Sequence, residues 1–422
     1  MNPITSGTLN PARVPPGSPP VVVAGAYQTG VDLMRNLVRR GVTAYCIDSN
    51  PAQAGFKTVY GKAFLCPNPD EQPGEWIRFM VDLAAKIGSR PVLIAAADQF
   101  VTAIAEHAAE LDIHYVFLQS AARLQAALST KERQYALAAE HGMPIPRTQF
   151  VGSLDDLRGF GAAARFPCLI KPLSCREWEL LPAGHPLLLQ KVAAAASPSE
   201  LEARYRSIAE FTPNAVVQEI IEGPDDAKLV YLSCYSRSGE RLGACLFQEI
   251  RTMPIYFGSA SVVVPIEDPE TDALCDGFLH RIGYTGLCEI ELKRDSRDGQ
   301  VKMIEANPRY SGTSDAAPYA GVDIGWLHYL DLIGQTVQRV FSDGRDFRHI
   351  VLTRDFSCLR SYRKAGLLPW WELIRSYRPP VAFFDFDLKD WRVTLDTVIE
   401  LAKIVVGPPI RRVFPKRKPA SR

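Results

Sequence analysis

The sequence predicts an α/β domain followed by a longer α+β region, and three observations carry that prediction. The 422 residues exceed one ordinary core, since domains run to about 100 to 200 residues. Apolar runs alternate with helical periodicity over the first hundred residues, the pattern of a parallel sheet. Beyond about residue 129 strands and helices alternate to about residue 334, with antiparallel strands dominating, the pattern of an α+β region.

Taken in order, residues 1–19 are rich in Pro, Gly, Ser and Asn and lack both a basic and an apolar segment, so they read as a disordered start and not as a signal peptide. From Pro20, an apolar strand at 21–24, a helix at 31–40 and a strand at 42–47 form one βα unit. A buried strand at 91–96, a helix at 100–111 and a short strand at 115–118 complete a doubly wound, Rossmann-like domain over 20–125. Its first turn, Gly25-Ala26-Tyr27-Gln28-Thr29-Gly30, and Asp48 invite a dinucleotide reading. The spacing excludes it, because GxGxxG needs a middle glycine where Tyr27 and Gln28 stand. The turn glycines are expected to shape the backbone or contact a substrate.

A second unit opens at Ser129-Thr130-Lys131, an N-cap pattern before a helix at 132–140 that ends at Gly142 with Pro144 and Pro146 beyond. Strands are expected at 168–171, 215–221, 229–235, 242–251, 287–293 and 301–306. After residue 345 come aromatic and apolar segments, a helix at 391–406 and a basic end, Arg411-Arg412-Val413-Phe414-Pro415-Lys416-Arg417-Lys418. That end reads either as a docked helix with a solvated tail or as a weak contact with an anionic membrane surface.

Composition narrows the function. Hydrophobic residues are 47% and charged residues 23%, with a net charge of +1, so bulk electrostatics give no reason to expect nucleic acid. Nine scattered cysteines form no CxxC pair, which suits a reducing, cytoplasmic compartment and cysteines used as small core hydrophobes. No apolar run reaches the roughly 18 to 20 residues of a membrane span. The seven histidines show no metal-ligand spacing, and no Ser/His/Asp or Cys/His set stands out.

The chemistry concentrates at 286–309. Gly286-Leu287-Cys288-Glu289-Ile290-Glu291-Leu292-Lys293, a polar turn, and Val301-Lys302-Met303-Ile304-Glu305-Ala306-Asn307-Pro308-Arg309 read as a hairpin. Alternation puts Glu289, Glu291 and Lys293 on one face of the first strand, and Glu305, Asn307 and Arg309 on one face of the second. Carboxylates and an amide oxygen suit Mg²⁺, with Lys293 and Arg309 left to hold phosphate oxygens. A solvated face with cross-strand ion pairs is the plain alternative. Charge at the end of so apolar a strand would then be costly.

Here the chain resembles the ATP-grasp superfamily, in which an acid on one strand and Glu-x-Asn on the next bind two magnesium ions between ATP phosphates. Glu305-Ala306-Asn307-Pro308-Arg309 has the form typical of that family, and Glu291 takes its first-acid position. The resemblance covers about 21–334 and is nearest the carboxylate-amine ligase group that includes D-aspartate ligase. It implies a pre-ATP-grasp domain at 20–125, then an ATP-grasp fold at 126–340. That fold would comprise a lysine-bearing subdomain at 126–215 and a metal-bearing one at 216–340, with a C-terminal extension at 341–422.

Metal ligands would be Glu291, Glu305 and Asn307, and Lys131 and Lys171 would contact ATP phosphates. In Val216-Val217-Gln218-Glu219-Ile220-Ile221-Glu222-Gly223-Pro224-Asp225, the Glu219 and Ile221 backbones would read adenine, with Gln218 or Glu219 bonding its amine and Asp225 the ribose. Arg251, Lys293 and Arg309 would stabilise the reacting phosphate and oxyanion. The family's glycine-rich loop is missing after Lys171, so Ser174, Arg176 or Lys191 would have to cover the phosphates. The implied activity is Mg-ATP-dependent joining of a small carboxylate to an amine, or less readily a thiol, by a chain for which a homodimer is plausible. Other readings are a non-catalytic ATP-binding regulator, or a phosphotransferase or carboxylase on the same fold.

Overall fold

A computed structural model describes residues 13–406 apart from 174–177, 179, 180, 183, 189 and 191. The basic C-terminal end and the phosphate-covering candidates Ser174, Arg176 and Lys191 therefore lie outside the described residues.

The first sheet is parallel, with strands β1 (Val21–Ala24), β2 (Ala44–Asp48), β3 (Lys62–Leu65) and β4 (Val92–Ala95) in the order β3-β2-β1-β4. Helices α1 (Gln28–Val38), α2 (Pro73–Ile87), α3 (Asp98–Glu106) and α4 (Ala108–His114) accompany it. The helix expected at 100–111 breaks at His107, and the strand expected at 115–118 is reduced to one bridge, Val92 to Val116. Asp48 braces the first turn, accepting the Ala26 N–H at 2.9 Å on one oxygen and the Asn50 N–H at 2.9 Å on the other. Gly25 sits at φ 118°, and a Cβ at Gly30 would lie 1.9 Å from the Gly25 oxygen. The glycines thus shape the turn.

Residues 13–19 depart from the expected disorder. The Val14 N–H donates to Arg40 O at 2.9 Å, Pro19 O accepts the Tyr329 hydroxyl at 2.6 Å, and Val14 packs on the core. Low hydrophobicity did not prevent ordering because neighbouring elements supply the partners.

Helices α5 (Ala122–Leu128) and α6 (Lys131–Glu140) lead into a second, four-stranded sheet, with β5 (Thr148–Val151), β6 (Cys168–Pro172), β7 (Ala193–Ala195) and β8 (Ala215–Glu219) ordered β5-β8-β6-β7. Helices α7 (Leu154–Ala163) and α8 (Pro198–Ile208) cover it, each capped by a serine, Ser153 and Ser197.

The third and largest sheet holds β9 (Lys228–Tyr235), β10 (Arg241–Met253), β11 (Ser259–Ile266), β12 (Gly286–Arg294) and β13 (Val301–Asn307). Three further strands, β14 (Val340–Phe341), β15 (Arg348–Ile350) and β16 (Val381–Phe383), join it. The order is β13-β12-β9-β10-β11-β15-β16, with β14 beside β10. Helices α9 (Pro269–Arg281), α10 (Ile324–Leu332), α11 (Leu352–Lys364), α12 (Trp370–Ser376) and α13 (Trp391–Val406) complete the described chain. The boundary expected at 340 falls in β14, so the C-terminal region is woven into the large sheet.

That sheet has two different faces. Ile290, Leu292, Tyr231 and Leu246 pack with Phe278 and Leu279 of α9. Val230, Leu232, Phe247 and Leu287 belong to the core shared with Leu33, Met34 and Leu37 of α1 and Ile324 and Leu327 of α10. The second face, toward the N-terminal domain, carries the site.

Candidate functional site

Strands β12 and β13 pair in the register Glu289 to Asn307 and Glu291 to Glu305. Residues directly opposite in an antiparallel pair share a face, and β12 in turn pairs Glu289 with Leu232 and Glu291 with Val230. The two acids, the amide and Glu289 therefore all lie on the face toward the N-terminal domain. Past Glu291 the register shifts, Leu292 pairing with Met303, which makes Ile304 a bulge residue.

Because β13 is an edge strand, its outer backbone groups need partners, and the chain around α6 supplies them. The Tyr135 hydroxyl donates to the bulged Ile304 carbonyl at 2.6 Å, Gln134 Oε1 accepts the Ala306 N–H at 2.8 Å, and Pro144 O accepts the Met303 N–H at 2.8 Å. This docking sets Lys131, the first residue of α6, beside the acid strand; Lys131, Glu291 and Glu305 are all electrostatic neighbours of Tyr135. Lys171, buried on β6, donates to the Tyr135 hydroxyl at 3.0 Å and to Gln218 Oε1 at 3.2 Å. Tyr135 thus joins Lys171 to the carboxylate hairpin, with Lys131 nearby at the start of the same helix. The sequence reading missed it, since an aromatic in a helix looks like any core residue.

The electrostatics are those of crowded carboxylates. Burial, then Glu289, Glu305 and Glu249, push the Glu291 carboxyl well above its usual range. Burial raises Glu289 too, against hydrogen bonds from Ser311, at 2.6 Å, and Asn307 Nδ2, at 3.1 Å. Glu249 on β10 is buried and pushed up to about 7 by desolvation, although Lys228 stands 3.7 Å away. A lone acid inside the apolar run Leu246-Phe247-Gln248-Glu249-Ile250 was the available signal for it.

No group of three or more His, Cys, Asp or Glu side chains among the described residues could hold a metal ion unaided. Two carboxylates and an amide instead fit an ion that completes its shell with phosphate and water oxygens, as Mg²⁺ does. Repulsion among the buried acids is relieved by such a cation.

Other expected residues are placed as follows. Lys293 is buried and donates to Gly223 O at 2.7 Å, and burial followed by Lys228 lowers its pKa. Arg309 forms an ion pair with Asp98, at the start of α3, and donates to Asn307 Oδ1 at 3.3 Å, tying the Asn-Pro-Arg turn to the N-terminal domain. Gln218 Nε2 donates to Thr148 at 2.7 Å, and Glu219 Oε1 accepts the Arg165 N–H at 2.8 Å. The Glu219 N–H donates to Arg147 O at 2.9 Å and the Ile220 N–H to Pro167 O at 3.0 Å, with buried Ile221 next in line. Asp225 is buried, accepting the Tyr256 N–H at 2.9 Å and the Tyr362 hydroxyl.

Arg251 requires correction. Glu249 pairs with Val263 and Arg251 with Val262, so an irregularity at Ile250 turns Arg251 to the opposite face from the acids. There it grips the fully buried Asp355 with Nε and Nη2, both at 3.0 Å, and donates to Ser376 at 2.8 Å. It holds α11 and α12 in place and does not reach toward the hairpin.

The eight described cysteines are buried free thiols, and no described helix is long and apolar enough to cross a membrane.

No protein-family model matches the chain. It is 25% identical over 283 residues to D-aspartate ligase of Enterococcus faecium (strain Aus0004), a match spanning 62% of this chain and 63% of that protein, under two thirds of the relative's length. The fold is similar to the ADP complex of an N5-carboxyaminoimidazole ribonucleotide synthetase, with TM-score 0.60 and 13% identity over 78% of this chain and 80% of that one. It is also similar to an L-amino acid ligase from Bacillus licheniformis, with TM-score 0.56 and 14% identity over 76% and 75% of the two chains.

Proposed function

We propose that the chain is an Mg-ATP-dependent ligase of the carboxylate-amine ligase-like group of the ATP-grasp superfamily, joining a small carboxylate to an amine, a reading supported by its likeness to D-aspartate ligase and by its fold. The observation that carries this reading is the placement of Glu291 opposite Glu305, with Asn307 on the same face, Lys171 tied to that hairpin through Tyr135, and Lys131 at the start of the helix that carries Tyr135.

ATP would lie between the second and third sheets, with adenine at Glu219 and Ile221, ribose at Asp225, and phosphates between Lys131, Lys171 and the hairpin. Magnesium held by Glu291, Glu305 and Asn307, as two ions in the proposed form, would neutralise charge on the transferring phosphoryl group. A substrate carboxylate oxygen attacks the γ-phosphorus in line and ADP leaves. The amine then attacks the acyl carbon, loses a proton and expels phosphate. Arg309 and Lys293 are the cations available to the acyl phosphate and oxyanion. Positioning and electrostatics do the chemistry, so no nucleophilic side chain is required.

The test is ADP release from Mg-ATP across a panel of small carboxylic acids, each with and without amino acids, followed by product mass. Release only with both partners, and a product lighter than their sum by one water, supports ligation. A stable phosphorylated product from one carboxylate, or binding without turnover, overturns it.

A further inference from the structure

Helix α11 presents Arg354, Asp355, Cys358 and Tyr362 at helical spacing toward β10 and β11. Asp355 is fixed by Arg251, by Ser261 Oγ at 2.8 Å and by the Tyr377 hydroxyl at 2.5 Å. Arg354 donates to Ala260 O. About two helix turns further on, Tyr362 is held from β10, its hydroxyl accepting the Thr252 N–H at 2.9 Å. That hydroxyl spends its proton on Asp225 Oδ2. The other oxygen, Oδ1, takes the N–H of Tyr256, the non-glycine residue at positive φ (71°) among those described, in the β10–β11 turn.

Both oxygens of the carboxylate assigned to the ribose are thus oriented by groups outside the hinge segment. A carboxylate has about four lone-pair sites, so these two bonds leave capacity for a ribose diol while fixing the plane in which it must approach. Asp225 is 5% exposed, and removing one donor from a buried carboxylate leaves it with an unmet bond.

From this geometry we infer that Tyr362, in the C-terminal region beyond the expected ATP-grasp boundary, is a positioning residue for nucleotide binding: it orients Asp225 toward the ribose. The inference rests on the proposed nucleotide site and deepens it, by making α11 part of that site. The register of α11 is in turn set by Arg251 and Asp355, which gives the buried ion pair on the far face of the sheet a role in nucleotide affinity without contact with the nucleotide.

The experiment compares Mg-ADP binding by calorimetry in the full chain and in Tyr362→Phe, Asp225→Asn and the double variant. Loss of one hydrogen bond to a charged group predicts roughly tenfold weaker binding in Tyr362→Phe, with KM for ATP raised and kcat little changed. In the Asp225→Asn background the same substitution has little further effect, because the group it orients is gone. A merely structural tyrosine would instead weaken both backgrounds equally, which overturns the inference, as does unchanged binding in Tyr362→Phe. Hydrogen exchange on the wild-type chain tests the same point without a variant: Mg-ADP slows exchange across 352–364, and absence of that protection in a nucleotide-bound chain overturns the inference. Failure of the wild type to bind any nucleotide removes the ligase reading itself; binding with an indifferent Tyr362 removes only this one.

Discussion

Replacing Arg251 by methionine separates a structural from a chemical role for a buried arginine. Asp355 is fully buried and receives Arg251 through two bonds of 3.0 Å, beside Ser261 and Tyr377. Removing the guanidinium leaves the carboxylate with two neutral donors and no countercharge, which costs about 3–5 kcal/mol. At roughly 2–4 °C per kcal/mol the melting temperature falls on the order of 10 °C. Replacing both partners, Arg251→Met with Asp355→Leu, restores most of that loss, because apolar groups of similar volume carry no desolvation penalty. Thermal and urea melts of the single and double variants measure this, and ADP release on folded protein measures chemistry. The expected kcat of folded Arg251→Met stays within about tenfold of wild type, against the roughly 10²- to 10³-fold loss on removing an oxyanion donor. A variant that melts like wild type yet loses kcat a hundredfold refutes the placement of Arg251 away from the reacting atoms.

Three other outcomes are expected. Glu291→Gln melts higher than wild type without ligand, since it relieves a buried carboxyl crowded by three others, and it loses ADP release; a lower melting temperature in calorimetry contradicts the crowding argument. Tyr135→Phe leaves the Ile304 carbonyl and the Lys171 ammonium each without one partner, costing about 1–3 kcal/mol in urea unfolding and weakening Mg-ADP binding; unaltered binding shows that Tyr135 does not connect Lys171 to the hairpin. His328 is buried, and desolvation lowers it from 6.5 to about 4. The unfolded chain therefore binds the extra proton first, and stability falls as pH drops from 6.5 toward 4, by about 3 kcal/mol in all. His328→Leu abolishes that part of the acid sensitivity in pH-dependent melts, and an identical pH profile contradicts it.

The hairpin was legible because strand period and motif agree: Glu291, Glu305 and Asn307 fall on one face by alternation alone, and Glu-x-Asn-Pro-Arg is a specific string. The bulge at Ile304 was not legible, since an inserted residue in an apolar strand leaves no compositional trace. The same blindness hid the orientation of Arg251, which an irregularity at Ile250 turns away from the acids. The edge strand β3 escaped notice because only one side of it is paired. The joining of β15 and β16 to the large sheet escaped because three-residue strands carry little periodicity. The helix at 391–406 was read to its ends, as Trp391–Val406, because its apolar spacing is long and regular. Tyr362 could not be connected to Asp225 across 137 residues by any local pattern.

The central claim is that Glu291, Glu305 and Asn307 gather a divalent ion under the phosphates of a bound nucleotide. Calorimetric titration of ADP, with magnesium and with chelator, into the full chain and into Glu305→Gln tests it most directly. The expected result is that magnesium tightens ADP binding to the wild type by about tenfold or more and has no effect on the variant. Equal affinity with and without magnesium in the wild type, or an undiminished magnesium effect in Glu305→Gln, contradicts it.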